Sequence, residues 1–195
     1  MWMLVLGLLI FLGLHSARIV ADDWRTRAIG RLGERRWKGL YSLLSLLGLV
    51  LIVWGWALAR RQPVPLWASP AGLRHLNSLF TLAAFVLLAA AYVPRNHFKA
   101  ALHHPMVLGV ALWGLGHLLA TGTLANAVLF GAFALWALLD GRAALARDRA
   151  QGTVYPPGRA GATLLALLVG VLAWAAFAFW LHAAWIGVAP LAAAR

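Results

Sequence analysis

The sequence predicts an all-α, polytopic transmembrane bundle of about six helices, a reading that rests on three observations. Of the 195 residues, 63% are hydrophobic and only 11% charged, less than half the charged share of an ordinary soluble domain. Mean hydropathy is +0.81. The apolar residues fall in six runs of about 20, the length a helix needs to cross ~30 Å of hydrocarbon at 1.5 Å per residue. The basic residues, which give a net charge of +12, lie between the runs rather than on one face, so they argue for orientation in a membrane and against nucleic-acid binding.

The six runs are placed at 1–20, 39–59, 73–93, 105–121, 123–139 and 161–188, and form one domain over 1–195. The first lacks a basic stretch before it and an A-x-A-like cleavage site after it. It therefore reads as a retained helix and not a signal peptide. The fourth and fifth are joined only by Thr121-Gly122-Thr123, where glycine permits a tight reversal. Asp140-Gly141-Arg142 reads as the end of the fifth.

Connections one, three and five carry thirteen Arg and Lys: Arg18, Arg25, Arg27, Arg31, Arg35, Arg36, Lys38, Arg95, Lys99, Arg142, Arg147, Arg149 and Arg159. The opposite side has Arg60, Arg61, Arg74 and Arg195. The positive-inside rule then predicts a bacterial inner-membrane protein with both termini periplasmic. Trp2, Trp67 and Trp185 stand at the outer ends as interfacial anchors would.

Seven histidines carry the chemical signal, and His15, His117 and His182 fall inside predicted helices. A titratable ring in an apolar span costs free energy unless it is hydrogen-bonded or ligated. The plain alternative for each is a hydrogen bond between helices. Imidazole suits haem iron, zinc, copper and nickel alike. The five acids, Asp22, Asp23, Glu34, Asp140 and Asp148, all lie at loops or helix ends, and there is no cysteine. That inventory fits a haem b held by two histidines between helices. It excludes C-x-x-C-H attachment, thiolate ligation and a Cys nucleophile. No Ser-His-Asp spacing or phosphate-binding glycine loop supports a hydrolase or kinase. Arg18, one turn beyond His15, is placed to meet a propionate or lipid phosphate, or simply to serve as a positive-inside charge.

Several motifs occur in order: Leu14-His15-Ser16, the run from Gly33-Glu34-Arg35 to Leu40-Tyr41-Ser42, His104-Pro105 followed by Gly109, Trp113 and His117, and Asp140-Gly141-Arg142. Together they resemble the NnrU family over roughly 1–150, and that family is similar in turn to 15-cis-zeta-carotene isomerase. The resemblance implies a membrane protein tied to nitrite and nitric oxide reduction (denitrification), or a haem b-dependent cis-trans isomerase. It also implies an apolar small-molecule or redox partner besides the lipid bilayer. The axial ligands of the isomerase map onto His15 and His117. Its ligand-switching cysteine has no counterpart here.

Depth along the helices complicates that pairing. His15 lies toward the cytoplasmic end of the first helix, while His117 lies 13 residues, about 19 Å, beyond His104 toward the outer end of the fourth. By depth His15 pairs with His104, and His117 with His182 or His75. His104 and His182 therefore stand as rival iron ligands. Two other readings remain. One is a non-catalytic accessory protein of denitrification. The other is an isoprenylcysteine-type membrane methyltransferase, suggested by His104-Pro105 and opposed by the acid-free segment from Trp185 to Arg195.

Overall fold

The computed structural model describes residues 1–191, the side chain of Ala71 excepted. Arg195, counted above among the outer charges, lies outside the described residues. Those residues are almost entirely helical: α1 (Trp2–His15), α2 (Ala17–Val20), α3 (Asp22–Leu32), α4 (Glu34–Ala59), α5 (Ala71–Tyr92), α6 (His97–Leu102), α7 (Pro105–Ala120), α8 (Leu124–Gln151), α9 (Ala160–Ala176), a π-helical turn (Phe177–Leu181) and α10 (His182–Ile186). The six predicted crossings are present as α1 with α2, α4, α5, α7, α8, and α9 running on through the π turn into α10. Four of them are long and apolar enough to span a bilayer on their own: Glu34–Ala59, Gly72–Tyr92, Leu124–Gln151 and Ala160–Ile186. Trp2–His15 and Pro105–Ala120 are shorter apolar helices.

The helices pack in the order α4, α1, α8, α7, α5, α9. Gly55 of α4 meets Leu4 of α1 while Gly48 meets Phe11, so these two run antiparallel with their backbones almost touching. Gly109 and Gly116 of α7 receive α5 at Ala84 and Phe80, and Gly114 receives α8 at Phe130 and Ala134. Such close approach is how helices associate in lipid, where no hydrophobic effect drives them together. The core, at the meeting of α1, α4 and α8, contains Leu4, Leu8, Ile52, Ala125, Leu129 and Phe130. Outward-facing residues are Leu, Val and Trp, among them Leu43, Leu46, Val53, Leu164, Leu168 and Leu172.

The first, third and fifth connections gather at one end of the bundle, the arginine-rich end. Met1, the 60–70 connection and Ile186 gather at the other, where Arg60 Nη1 donates to the Ile186 carbonyl at 2.8 Å. The 121–123 turn is at this second end, where it forms an isolated bridge between Thr123 and Pro65, and Leu66 N–H donates to the Gly122 carbonyl at 2.7 Å. Gly122 is not among the residues with positive φ. Glycine is needed here for space, because a Cβ would strike the Trp67 carbonyl.

Several boundaries differ from the expectation. Asp140-Gly141-Arg142 does not end a helix: α8 continues to Gln151 and stops at Gly152, a left-handed cap with φ 61°. Residues 143–151 are alanine-rich, and their helix propensity carries the helix past the apolar stretch. The first connection is itself helical. Gly33, with φ 80°, separates α3 from α4, and α4 begins five residues early with Glu34 paired to Lys38 at 2.7 Å. The predicted 161–188 helix contains the π turn, which shifts the register ahead of His182.

Candidate functional site

His15 ends α1. Its Nδ1 lies 2.7 Å from the carbonyl of Phe11, four residues back. A carbonyl can only accept, so Nδ1 carries the proton and the lone pair is on Nε2. His117, in the last turn of α7, repeats the arrangement: its Nδ1 donates to the Trp113 carbonyl at 2.8 Å. Each intramembrane imidazole is thus held in the tautomer that presents Nε2 as a ligand, with the backbone acting as the orienting partner.

Around His15 stand Phe11, stacked at 4.2 Å, Tyr41 of α4 at 5.3 Å and Trp136 of α8 at 6.1 Å between ring centroids. His117 stacks on Phe130 of α8 at 4.5 Å and touches Trp113 at 5.3 Å. Phe133 joins the two groups, 5.9 Å from Phe11 and 5.6 Å from Trp113. The histidines therefore cap the two ends of one aromatic ladder. Measured on α8, their neighbours Phe130 and Trp136 are six residues, or about 9 Å, apart along the axis.

Three side-chain polar atoms are buried without a hydrogen-bond partner among the described residues: Ser45 Oγ, Asn77 Oδ1 and Trp136 Nε1. Ser45 and Trp136 flank the ladder at its His15 end. Trp136 is edge-on to His15. Ser45 lies between Tyr41, which meets His15, and Gly48, which meets Phe11, so it shares their face of α4. Asn77 Oδ1 lies elsewhere, at the α5–α7 contact, where it crowds the place a Cβ on Gly116 would take. Where no water reaches, an unpaired polar atom costs about 1–3 kcal/mol, so the pair beside His15 marks where a bound group would satisfy them.

Ser45→Ala follows as a test on the ligand-free chain. It removes an unpaired hydroxyl without opening a cavity, and should raise stability by about 1 kcal/mol. In detergent that is a thermal midpoint higher by about 2–4 °C for a chain of this size. A lower midpoint would mean that the hydroxyl is paired.

His104 and Arg18 lie apart from the ladder, at the arginine-rich end. His104, the residue before α7, gives its Nε2 to Asp148 Oδ2 at 2.8 Å, and the Tyr155 hydroxyl donates to the same oxygen at 2.9 Å. His103 stacks flat on Tyr155 at 4.3 Å. Burial first, and then the hydrogen bond and charge of Asp148, push the Tyr155 phenol above its ordinary range. This cluster ties α7, α8 and the 152–159 connection together at the arginine-rich end, so the pairing of His15 with His104 by depth is not made. His182 gives Nδ1 to the Val188 carbonyl at 2.6 Å near the opposite end. Arg18 lies in α2, where its carbonyl accepts from Arg147 Nη1 at 3.5 Å. His97 bonds Thr163 of α9 at 2.7 Å through Nδ1. Among the described residues no three His, Asp or Glu side chains converge as a metal site.

A haem iron tests the donor set. Each of His15 and His117 fits as an axial ligand by tautomer and setting. One iron between them would need their Nε2 atoms about 4 Å apart, twice a metal–imidazole bond of about 2 Å. They share no ring neighbour, and Phe133 and Trp113 lie between them, so this arrangement does not bring both onto one atom. Sequence reading found both histidines and Trp113 but passed over Ser45 and Asn77, each a lone polar side chain in an apolar span, which was the available signal. Trp136 gave none, since tryptophan is as common on lipid-facing surfaces.

Fold and site together define an integral membrane protein, a helical bundle with a histidine-capped aromatic interior. The chain belongs to the NnrU protein family, whose profile matches residues 3–190. No curated protein and no solved structure matches it.

Proposed function

We propose that this NnrU-family membrane protein binds haem b within the bundle, with one intramembrane imidazole as axial ligand and His15 preferred over His117. The observation that carries the reading is the shared tautomer: each ring spends Nδ1 on the carbonyl four residues back and leaves Nε2 free inside an apolar bundle. His15 is preferred because two of the three unpaired polar atoms, Ser45 Oγ and Trp136 Nε1, lie on its side of the ladder. When bound, haem would supply a Lewis-acidic, redox-active iron. The chain's own residues would orient the imidazole, exclude water with Phe11, Phe133 and Trp113, and offer Trp136 N–H and Ser45 O–H as donors. His104 is a weaker candidate, because its Nε2 is committed to Asp148, whereas His182, half-buried with Nδ1 on the Val188 carbonyl, stands as a rival to His117.

Held by one histidine, the group would supply an iron able to act on a small ligand or an apolar substrate within the bundle. That suits either role implied by the family resemblance, redox work linked to nitrite and nitric oxide reduction or cis-trans isomerisation. The charge asymmetry supports insertion in the bacterial inner membrane with both ends periplasmic.

The test is the absorption spectrum of protein purified from haem-supplemented cells, with and without reductant. His15→Ala should abolish the Soret band, whereas His117→Ala should weaken it by less than half. Colourless, well-folded wild-type protein would sink the proposal. A band lost only in His117→Ala would transfer the ligand to the other end of the ladder. If the biological effect survives in His15→Ala/His117→Ala protein of normal abundance, the protein is a cofactor-free accessory.

A further inference from the structure

We propose that a pocket at the arginine-rich end, between the α5–α6 connection and Pro156, seats the phosphate of an anionic phospholipid headgroup on Arg95 and Lys99. The proposal is independent of haem. Only two non-glycine residues among those described have positive φ, Arg95 at 59° and His103 at 61°. Arg95 follows Pro94 in the turn after α5, and His103 caps the C-terminus of α6, positions at which glycine or asparagine is the unstrained choice. The chain instead places a strained, charge-capable side chain at each. Each lines one of two cavities on either side of the 152–156 segment. Strain held at a chemically capable residue points to a use for its side chain.

The Arg95 cavity has a volume of about 180 Å³, and Asn96, Lys99, Tyr155 and Pro156 contribute to its wall. Its two charged side chains, Arg95 and Lys99, are both cationic donors. Asn96 spends its side chain on Ala90, Val93 and the Lys99 N–H, and Tyr155 spends its hydroxyl on Asp148. Lys99 Nζ gives one proton to the Ala91 carbonyl at 3.0 Å, which fixes the ammonium and leaves two N–H groups. The Arg95 guanidinium makes no hydrogen bond or ion pair among the described residues, while its carbonyl is pinned by Arg159 N–H at 2.7 Å. No carboxylate lines this cavity. A fixed ammonium beside a free guanidinium suits a phosphate oxyanion.

A lipid is the source that the surroundings favour. The cavity lies where α5 ends, at headgroup depth, and α9 exposes Leu164, Leu165 and Leu168 at the same end as a track for an acyl chain. Basic pockets of this kind at the ends of membrane helices are read as headgroup sites.

Because glycine relieves the φ of Arg95, Arg95→Gly removes the charge without straining the fold. Native mass spectrometry of the full chain in detergent, titrated with phosphatidylglycerol, phosphatidylcholine or inorganic phosphate, reads the outcome. Wild type should bind phosphatidylglycerol about tenfold more tightly than phosphatidylcholine. Arg95→Gly should lose that preference while its thermal midpoint stays level or rises, and Arg95→Lys should keep most of it. Unchanged preference in Arg95→Gly, or equal binding of the two lipids by wild type, would overturn the proposal. Inorganic phosphate that binds and displaces phosphatidylglycerol completely would make this a free-anion site and overturn the lipid assignment.

Discussion

Replacing Gly55 by alanine is expected to destabilise the bundle by about 3 kcal/mol, the upper part of the range for overpacking a tight contact. The cause is local and nearly rigid. A Cβ at Gly55 would run into the backbone nitrogen of Leu4 and lie 2.8 Å from its Cα, with no flexible side chain to yield. Gly7 and Gly48 make the same demand one and two turns further along, Gly7 against the Ile52 nitrogen at 2.6 Å and Gly48 against the Phe11 nitrogen at 2.9 Å. The helices therefore cannot slide to absorb the methyl group, and α1 must move away from α4. His15 ends α1, so the shift also separates its ring from Tyr41. Gly39→Ala, in the same helix α4 but facing open space, is the control. It should be neutral or stabilising by about 0.5–1 kcal/mol, because alanine has the better helix propensity. Thermal midpoints and monodispersity in one detergent report both. Equal midpoints for Gly55→Ala and Gly39→Ala would show that the α1–α4 contact is looser than described.

The six crossings were legible because lipid imposes a coarse rule: about 20 apolar residues per span, with charges between spans. That rule is silent outside the hydrocarbon, which is why the helical character of 22–32 and the extension of α8 past Asp140 were missed. Both depend on helix propensity and on the positive-φ glycines 33 and 152 that stop the helices. His15 and His117 stood out as titratable rings in apolar runs, and counting 13 residues from His104 to His117 already warned that two ligands at different depths would not meet on one atom. What the sequence withheld was pairing. His104 finds Asp148 across 44 positions and Trp56 finds Asn126 across 70, and no periodicity encodes either contact. The unpaired atoms of Ser45, Asn77 and Trp136 emerge only after every other partner has been assigned.

Asn96→Ala is expected to cost about 3 kcal/mol, because three hydrogen bonds disappear from a side chain that is fully buried. Its Nδ2 donates to the Ala90 carbonyl at 2.7 Å and the Val93 carbonyl at 2.6 Å, satisfying groups that the end of α5 leaves without partners. Its Oδ1 accepts from Lys99 N–H at 2.8 Å and caps α6. One residue thus closes one helix and opens the next, and it holds the turn that carries Arg95. Asn96→Asp separates the two functions. The carboxylate keeps the cap on α6 but turns an acceptor toward two carbonyls, so at neutral pH it should be at least as damaging as alanine. Burial and those carbonyls would raise the pKa of the introduced carboxyl above its unfolded value, because the folded chain prefers the neutral form. The stability deficit of Asn96→Asp should accordingly be greatest above the folded pKa and shrink as pH falls through it, when the protonated carboxyl regains one donor. The deficit of Asn96→Ala should not follow that curve. Thermal midpoints of the two variants and wild type, measured from neutral to mildly acidic pH, decide the matter. A flat difference for Asn96→Asp would mean that the donors of Asn96 do not hold the end of α5.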